Sequence, residues 1–283
     1  MPELPDLVYL EKKLNEYVLD QTIAEVEVIE PVVIRVLIDE DFTAALKGQK
    51  IAAIRRHGPF LVFQMADEME LIIHPMLAGR FQWLERSEKA GPAPALGLHC
   101  DPAGRSLYYL DNKKMGKVYL ILEGDYSKIP RFLSQGPDLL GEDFSLPYFK
   151  GKAQKSRKQV RVMIMDQTMV SAIGNAYADE ILFCAGIHPK TFCTQLDEGK
   201  IEKLYHCIKE VMQWGIAAVA NAGQPIEKKI RDHLNVRNRA NEPCPRCSAK
   251  IRKAGVLGYD AFFCPECQPL TRSQFIDWRK LKS

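Results

Sequence analysis

Two groups of residues in this chain of 283 have types and spacings that could do chemistry. The first is the opening, Met1-Pro2-Glu3-Leu4-Pro5-Asp6. Loss of Met1, which a small following residue generally permits, would leave Pro2 as a free secondary amine. An α-amino group has a pKa near ~8, so a useful share of it is an uncharged nucleophile at neutral pH. Glu3, one residue on, is placed to move protons. Taken by itself the opening reads first as a solvated, frayed terminus with a chance carboxylate, and only the rest of the chain can overturn that. The second group is Cys244-Pro-Arg-Cys247, then sixteen residues, then Cys264-Pro-Glu-Cys267. With no export signal ahead of them, two C-x-x-C knuckles at this separation read as one four-thiolate structural Zn2+ site and not as disulfides. A closed set of four thiolates leaves no open coordination position, so the metal is expected to hold structure and to do no chemistry.

Composition narrows the classes. Hydrophobic residues make up 46% and charged residues 27%, as in a soluble globular protein. No charged-then-apolar leader and no run of ~18 apolar residues is present, which predicts a cytoplasmic protein with no membrane partner. The net charge of +3 does not announce nucleic acid. Its placement is uneven, with one cluster from Lys150 to Arg161 and another from Lys228 to Lys253. Such runs are either solvated faces or phosphate-binding surfaces. Of the remaining cysteines, Cys184 and Cys207 lie in apolar helical patterns and read as buried thiols.

The elements that must position these groups follow from periodicity. Leu7, Leu10, Leu14 and Val18 predict a short amphipathic helix over 7–19. From Thr22 to about Leu122, short apolar or alternating runs separated by turns predict a β-sandwich or barrel, with Gly91–Leu96 as a proline-rich loop within it. Pro130, Pro137 and Pro147 punctuate a connector, and Val160–Ala222 is helical in period. Within that stretch Gly174-Asn175 reads as a turn between two helices, and Gly186 with Pro189 ends the second. The result is a helix–two-turn–helix unit. The turn exposes backbone N–H groups that suit a phosphate, and the Asn175 amide can add a donor. An ordinary helical hairpin capped by Asn is the other reading.

The Met-Pro-Glu-Leu-Pro opening, the run from Asp166 to Pro189 and the four-cysteine module, in this order and spacing, closely resemble the formamidopyrimidine-DNA glycosylase / endonuclease VIII family. The resemblance extends from residue 1 to Gln268. It implies an α+β multidomain fold: an N-terminal catalytic β-sandwich with a short N-terminal helix (1–126), a helix–two-turn–helix DNA-binding domain (127–240), and a zinc finger β-hairpin with a tail (241–283). It implies a monomeric, bacterial-type, nucleoid-associated base-excision repair enzyme that acts on damaged double-stranded DNA as a glycosylase and AP lyase. Pro2 would attack C1′ of a flipped nucleotide and form a Schiff base, with Glu3 shuttling protons. Asn175 matches the family's phosphate-binding Asn. His74 matches the His near a strand end, and is either a phosphate contact or a core histidine.

Departures from the family pattern are as informative. The family's strand Lys is replaced by Pro59 in Arg55-Arg56-His57-Gly58-Pro59-Phe60, leaving Arg56 and His57 as the nearest substitutes. Pro59 could also mark an edge strand. The Arg of the zinc hairpin is replaced by Tyr259, which can stack or hydrogen-bond but brings no charge. The strand-probing motif has become Asp111-Asn-Lys113-Lys-Met115-Gly, in which Lys113 offers a cation and Met115 a wedge. Leu77 stands near the void-filling Met, Asp6 replaces the usual Glu, and Arg161 is counted among the DNA contacts. Only Asn235 separates Leu234 from Val236, where formamidopyrimidine-type members carry a longer loop over 8-oxoguanine. Oxidised pyrimidines, ring-opened purines or abasic sites are therefore the expected substrates. The competing expectation is a relative that binds damaged or abasic DNA with little or no excision.

Overall fold

In the computed structural model, which describes residues 2–270, the first helix starts earlier than its apolar period suggests. Helix α1 runs Leu4–Val18, with Pro5 in its first turn, where a missing N–H costs nothing. Leu4, Leu7, Leu10, Leu14 and Val18 are its buried stripe. At roughly 1.5–3 kcal/mol for each such side chain, that stripe and not helix propensity fixes α1 to the sheet beneath it.

The chain forms two compact units, and the larger one comprises 1–144, 166–174 and 212–233. Its strands are β1 (Thr22–Val28), β2 (Ile34–Val36), β3 (Ile51–His57), β4 (Phe60–Met65), β5 (Met69–His74), β6 (Arg80–Glu85), β7 (Pro94–Asp101), β8 (Arg105–Leu110) and β9 (Lys117–Leu122), with a short helix α2 (Phe42–Leu46) between β2 and β3. They make a four-stranded sheet, β1-β7-β8-β6, and a five-stranded sheet, β2-β9-β5-β4-β3. Along β4, Phe63 faces the other sheet and meets Phe81 on β6 at 6.4 Å between ring centroids. Phe60 and Val62 point the other way, into a cluster with Ile72, Tyr119, Ile121, Ile129 and Phe132. Both faces of β4 are thus covered, which is why it reads as a continuous apolar run and does not alternate. The Gly91–Leu96 stretch is only partly a loop. Pro94 opens β7, and the register slips between Pro94 and Leu96, the kind of position where a strand tolerates proline.

The second unit comprises 145–165, 175–211 and 234–283, described to residue 270. The Lys/Arg-rich tail expected after the zinc module lies outside the described residues, as does Met1. Helices α3 (Leu146–Lys155), α4 (Val160–Ile164), α5 (Asn175–Ala185) and the first half of α6 (Glu198–Ala222) precede a hairpin of β10 (Arg252–Val256) and β11 (Tyr259–Phe263). Helix α5 ends as expected. Gly186 adopts φ +71°, its N–H bonds to the Phe183 carbonyl, and the Ile187 N–H reaches back to Leu182. The expectation of two separate buried thiols fails: Cys184 on α5 and Cys207 on α6 are joined as a disulfide, with their Cα atoms 5.8 Å apart. Helical period places each cysteine on an apolar face but does not say which faces meet.

Candidate active site and zinc centre

The N-terminal residues are fixed by a turn far along the chain. The Leu4 N–H donates to the Ala172 carbonyl at 2.8 Å, and the Gly174 N–H donates to Glu3 Oε2 at 3.2 Å. That turn is held in shape by Gln167, whose amide donates to the Ile173 carbonyl and accepts from the Ala172 N–H. Gly174 is required here by proximity. A Cβ at that position would stand 2.7 Å from the Glu3 carboxyl carbon. Glu3 is only 4% exposed, so the frayed-terminus alternative does not describe it.

Asp6 completes the arrangement. Its carboxylate accepts the Glu3 N–H at 2.8 Å and takes both Arg231 amino groups, at 2.8 and 2.5 Å. The Asp side chain, shorter than the Glu expected there, therefore serves as the first-turn acceptor of α1 and as half of a bidentate pair. Around these groups lies a solvent-open pocket with a cavity volume of about 50 Å³. Pro2, Asp6 and Tyr9 form one wall, Leu77–Arg80 a second, and Ile226–Lys229 a third. Leu77, 64% exposed, stands in that lining. Lys229 and Arg231 were not singled out from the sequence. They sit in the second basic cluster, and no spacing rule connects residue 229 to residue 2. Lys229 keeps solvent access at the pocket mouth. Crowding by the pocket wall nevertheless lowers its pKa, as does the Arg231 cation, while Asp6 and Glu3 act to raise it.

The substitutes expected for the missing strand Lys are not available. Arg56 is tied to Glu11 and, through both amino groups, to Asp138 at 3.2 and 2.7 Å, and its side chain is 7% exposed. Its expected role at DNA is therefore not what the structure shows; it staples β3 to α1 and the connector. The His57 ring nitrogen Nε2 lies 2.8 Å from the Phe132 carbonyl. Pro59 falls in the tight β3–β4 turn after Gly58 (φ +52°) and is buried. His74 ends β5 with its ring edge-on to Phe60, and its Nδ1 accepts the Met76 N–H at 3.0 Å. Burial lowers its pKa to about 4. The ring is accordingly neutral at pH 7 with its proton on Nε2, a donor without a charge. In the β8–β9 loop, Asp111 accepts the Lys113 and Gly116 N–H groups, leaving Lys113 and Met115 exposed on a rigid tip.

In the second unit Asn175 opens α5, but Arg161 is not a surface cation. Its side chain is 1% exposed and donates to Asp179 at 2.8 Å, to Asn175 Oδ1 at 2.9 Å and to the Asp260 carbonyl at 3.1 Å. The expectation of a direct DNA contact from Arg161 gives way to a buried brace. By accepting at Oδ1, Asn175 is left with its amide hydrogens to offer. Asp260 follows Tyr259, which is 56% exposed at the start of β11. Below it, the Sγ atoms of Cys244, Cys247, Cys264 and Cys267 all lie within 4.8 Å of one another. Zn–S bonds near 2.3 Å at tetrahedral angles put sulfurs ~3.8 Å apart. The sulfur separations of 3.4 to 3.9 Å match that, so the donor set fits one structural zinc ion. Cys244 and Cys264 also join Phe183, Val236, Ile251 and Phe262 in one apolar cluster, which seats the module on α5.

Comparison with known proteins gives matches between residues 1 and 270. Residues 1–118 match the formamidopyrimidine-DNA glycosylase N-terminal domain and 135–224 its H2TH domain, while 241–270 match a zinc finger found in Fpg and in IleRS. The formamidopyrimidine-DNA glycosylase of Lactiplantibacillus plantarum is 31% identical, over 94% of this chain and 98% of its own. That of Thermus thermophilus is 30% identical, over 95% and 98%. Among solved structures, the MutM (Fpg) protein from Thermus thermophilus superposes with a TM-score of 0.84 at 29% identity, covering 95% of this chain and 100% of that one. Wild-type Lactococcus lactis Fpg in complex with DNA containing an oxidised pyrimidine gives 0.86 at 31% identity, and the complex of that species' Fpg with an abasic site gives 0.85 at 30%, each with the same coverage. A common order of motifs, a common fold and identity of this extent leave one conclusion: the chain belongs to the formamidopyrimidine-DNA glycosylase family.

Proposed function

We propose that this protein is a base-excision repair DNA glycosylase with AP lyase activity, in which Pro2 is the nucleophile and Glu3 the proton shuttle. The observation that carries this reading is the anchoring of Glu3. A buried carboxylate, held by a backbone N–H from residue 174 beside a proline that lines a pocket, is an arrangement that binding alone does not need. Once Met1 is removed, the Pro2 nitrogen attacks C1′ of a nucleotide turned out of the stack, and the base departs with a proton supplied through Glu3. The product is an iminium between Pro2 and the opened sugar, from which β-elimination can proceed.

Double-stranded damaged DNA is the partner. Asn175 and neutral His74 donate to phosphates, Lys113 and Met115 engage the opened stack, Leu77 enters the space left by the flipped base, and Tyr259 stacks. Arg161 positions Asn175 and does not touch DNA. The short 231–236 segment disfavours 8-oxoguanine as the preferred lesion. Oxidised pyrimidines, formamidopyrimidines and abasic sites fit the reading better, and DNA carrying lesions of this kind occupies the related Lactococcus lactis structures. Since Tyr259 brings no cation, β-elimination should outlast δ-elimination.

A second reading is favoured by one observation. Pro59 has no amine, and Arg56 and His57 are engaged elsewhere, as a non-excising binder of damaged DNA would tolerate. Borohydride trapping of the mature protein on an abasic-site duplex separates the two. A covalent adduct that Pro2→Gly abolishes supports the enzyme. Tight binding without any adduct overturns it in favour of the binder.

A further inference from the structure

We propose that Tyr109 is a positioning residue that sets the spacing of the two loops which open the base stack, because both loops rest against the tip of its ring. The assignment rests on the reading of Leu77, Lys113 and Met115 given above. Tyr109 lies on β8, 1% exposed, with its ring 5.4 Å from that of Phe81 on β6. Its hydroxyl reaches between the β5–β6 turn (75–79), which carries Leu77, and the β8–β9 loop (111–116), which carries Lys113 and Met115. A Cβ on Gly79 would stand 2.5 Å from that oxygen, and a Cβ on Gly116 would overlap it. Neither glycine has φ in the left-handed region, so both are glycine for want of room and not for backbone freedom.

Each loop is braced internally. In the first, the Gly79 N–H donates to the Pro75 carbonyl at 2.8 Å and the Met76 N–H to His74 Nδ1 at 3.0 Å. In the second, the Asp111 carboxylate accepts the Lys113 and Gly116 N–H groups at 3.0 and 2.6 Å, and the Asp111 carbonyl accepts the Lys114 N–H at 3.1 Å. Each also holds one non-glycine residue in the left-handed region, Met76 at φ +49° and Lys114 at φ +53°. Backbone of that kind persists only where its surroundings dictate it, and it gathers at ligand clamps. The Tyr109 ring tip is the wall the two loops share. Its hydroxyl has no hydrogen-bond acceptor among the described residues, so it stands there as volume and not as a donor. A phenylalanine would pack the same ring without burying an unsatisfied hydroxyl, so stability alone does not explain the oxygen. Spacing does. Leu77 has to enter the space left by the flipped base while Lys113 and Met115 engage the opened stack, and an error in the distance between the loops costs both contacts at once.

The test uses the full-length mature protein and a duplex with 2-aminopurine opposite an oxidised pyrimidine, whose fluorescence rises as the stack opens. Gly116→Ala drives its Cβ into the Tyr109 oxygen. It should blunt the fluorescence rise and slow excision by on the order of 10²-fold, the scale of a ~1 Å misplacement. Tyr109→Phe alone should unfold at or above the unsubstituted temperature, yet slow excision by on the order of 10-fold through the looser fit. In the double variant the overlap is gone, and the added Cβ meets only Asp111 Oδ2 at 2.9 Å and the ring Cζ at 3.0 Å. Excision should then return to within ~10-fold of the unsubstituted rate, a strongly non-additive pair. Gly79→Ala, whose Cβ also meets the Pro75 carbonyl oxygen at 2.5 Å, should not be rescued by Tyr109→Phe. A single-stranded abasic oligonucleotide needs no opening, so Tyr109→Phe should be trapped on it by borohydride as fully as the unsubstituted protein. Full excision by Gly116→Ala, or no rescue of it by Tyr109→Phe, overturns the assignment of Tyr109. Full excision by Tyr109→Phe overturns it even where Gly116→Ala does not fold, as does a loss matched by a fall in unfolding temperature. An unchanged fluorescence rise in Leu77→Ala and in Met115→Ala overturns the reading of the loops, and Tyr109 with it. Absence of any adduct with the unsubstituted protein overturns the Pro2 reading and leaves the fluorescence test of Tyr109 standing.

Discussion

Gly174→Ala is the sharpest perturbation of the candidate site. The added Cβ would stand 2.7, 2.8 and 2.9 Å from the Glu3 carboxyl carbon, Cγ and Oε1, whereas ordinary contact begins at 3.4 Å. Gly174 does not need the left-handed backbone region, so the cost falls on the Glu3 side chain and not on the turn. That side chain is flexible at its far end and can yield. To restore contact, the carboxyl must retreat by about 0.7 Å, from 2.7 to 3.4 Å, a displacement that at a catalytic group costs on the order of 10²-fold in rate. That loss corresponds to about 2.7 kcal/mol of transition-state stabilisation. Stability should fall by no more than about 1 kcal/mol, because the small shift is absorbed by one rotamer. The assay is single-turnover excision of an oxidised pyrimidine from a duplex, with thermal unfolding measured in parallel. Gly151→Ala, where a Cβ meets nothing within 4 Å, is the control and should leave the rate unchanged. Excision by Gly174→Ala at the unsubstituted rate would refute the claim that close approach of residue 174 places Glu3. Loss of rate together with several kcal/mol of stability would refute the claim that only Glu3 moves.

Three further outcomes are expected. Arg231→Met leaves Asp6 without its counter-charge. Because the two side chains keep 16% and 11% exposure, the loss should be about 2–3 kcal/mol, below the 3–5 of a wholly buried pair, as read by urea unfolding. Cys264→Ala, or treatment with a chelator, should release one zinc per chain in a colorimetric assay and unfold the β10–β11 module, with DNA affinity falling while the β-sheet signal of the larger unit persists. Burial depresses His74 to about 4 in the folded state against ~6.5 in the unfolded chain. Stability from this residue is therefore intact above pH ~6.5 and is lost as pH falls from there to about 4, because only the unfolded chain takes up the proton. His74→Gln should flatten that limb of the stability–pH curve, and an unaltered limb would assign it to other groups.

The parts of this molecule legible in its sequence are those whose residues carry their own geometry. The cysteine knuckles announce a metal by spacing alone, and the leucines of α1 announce a buried stripe by period. Gly186 and Pro189 announce the end of α5 because only particular backbones stop a helix there. Partnerships across the chain were not legible. Arg161 belongs to a run of six cations, and nothing in that run shows that Asp179 and Asn175 will claim it. Arg56 lost its expected role in the same way, to Asp138. Cys184 and Cys207 needed the orientation of two helices to be read as a pair. Lys229 was hidden for the opposite reason: a charge in a basic segment looks solvated until the fold sets it beside Pro2, Asp6 and Glu3. Pro94 was misread because a proline forbids a strand interior but not a strand's first residue.

The turn that seats Glu3 also sets an order of events during synthesis. At ~5–20 residues per second, a ribosome needs roughly 10–30 s after making the first residues before the segment containing Gln167, Ala172 and Gly174 has been translated. Until then Leu4 lacks its backbone acceptor and Glu3 its donor, so the start of the chain stays open to the enzyme that removes an initiator methionine. Under the proposed role of Pro2, closing the site with a late segment gives removal of Met1 a window before folding completes. A permuted chain, in which residues 166–174 were made first, would lose it.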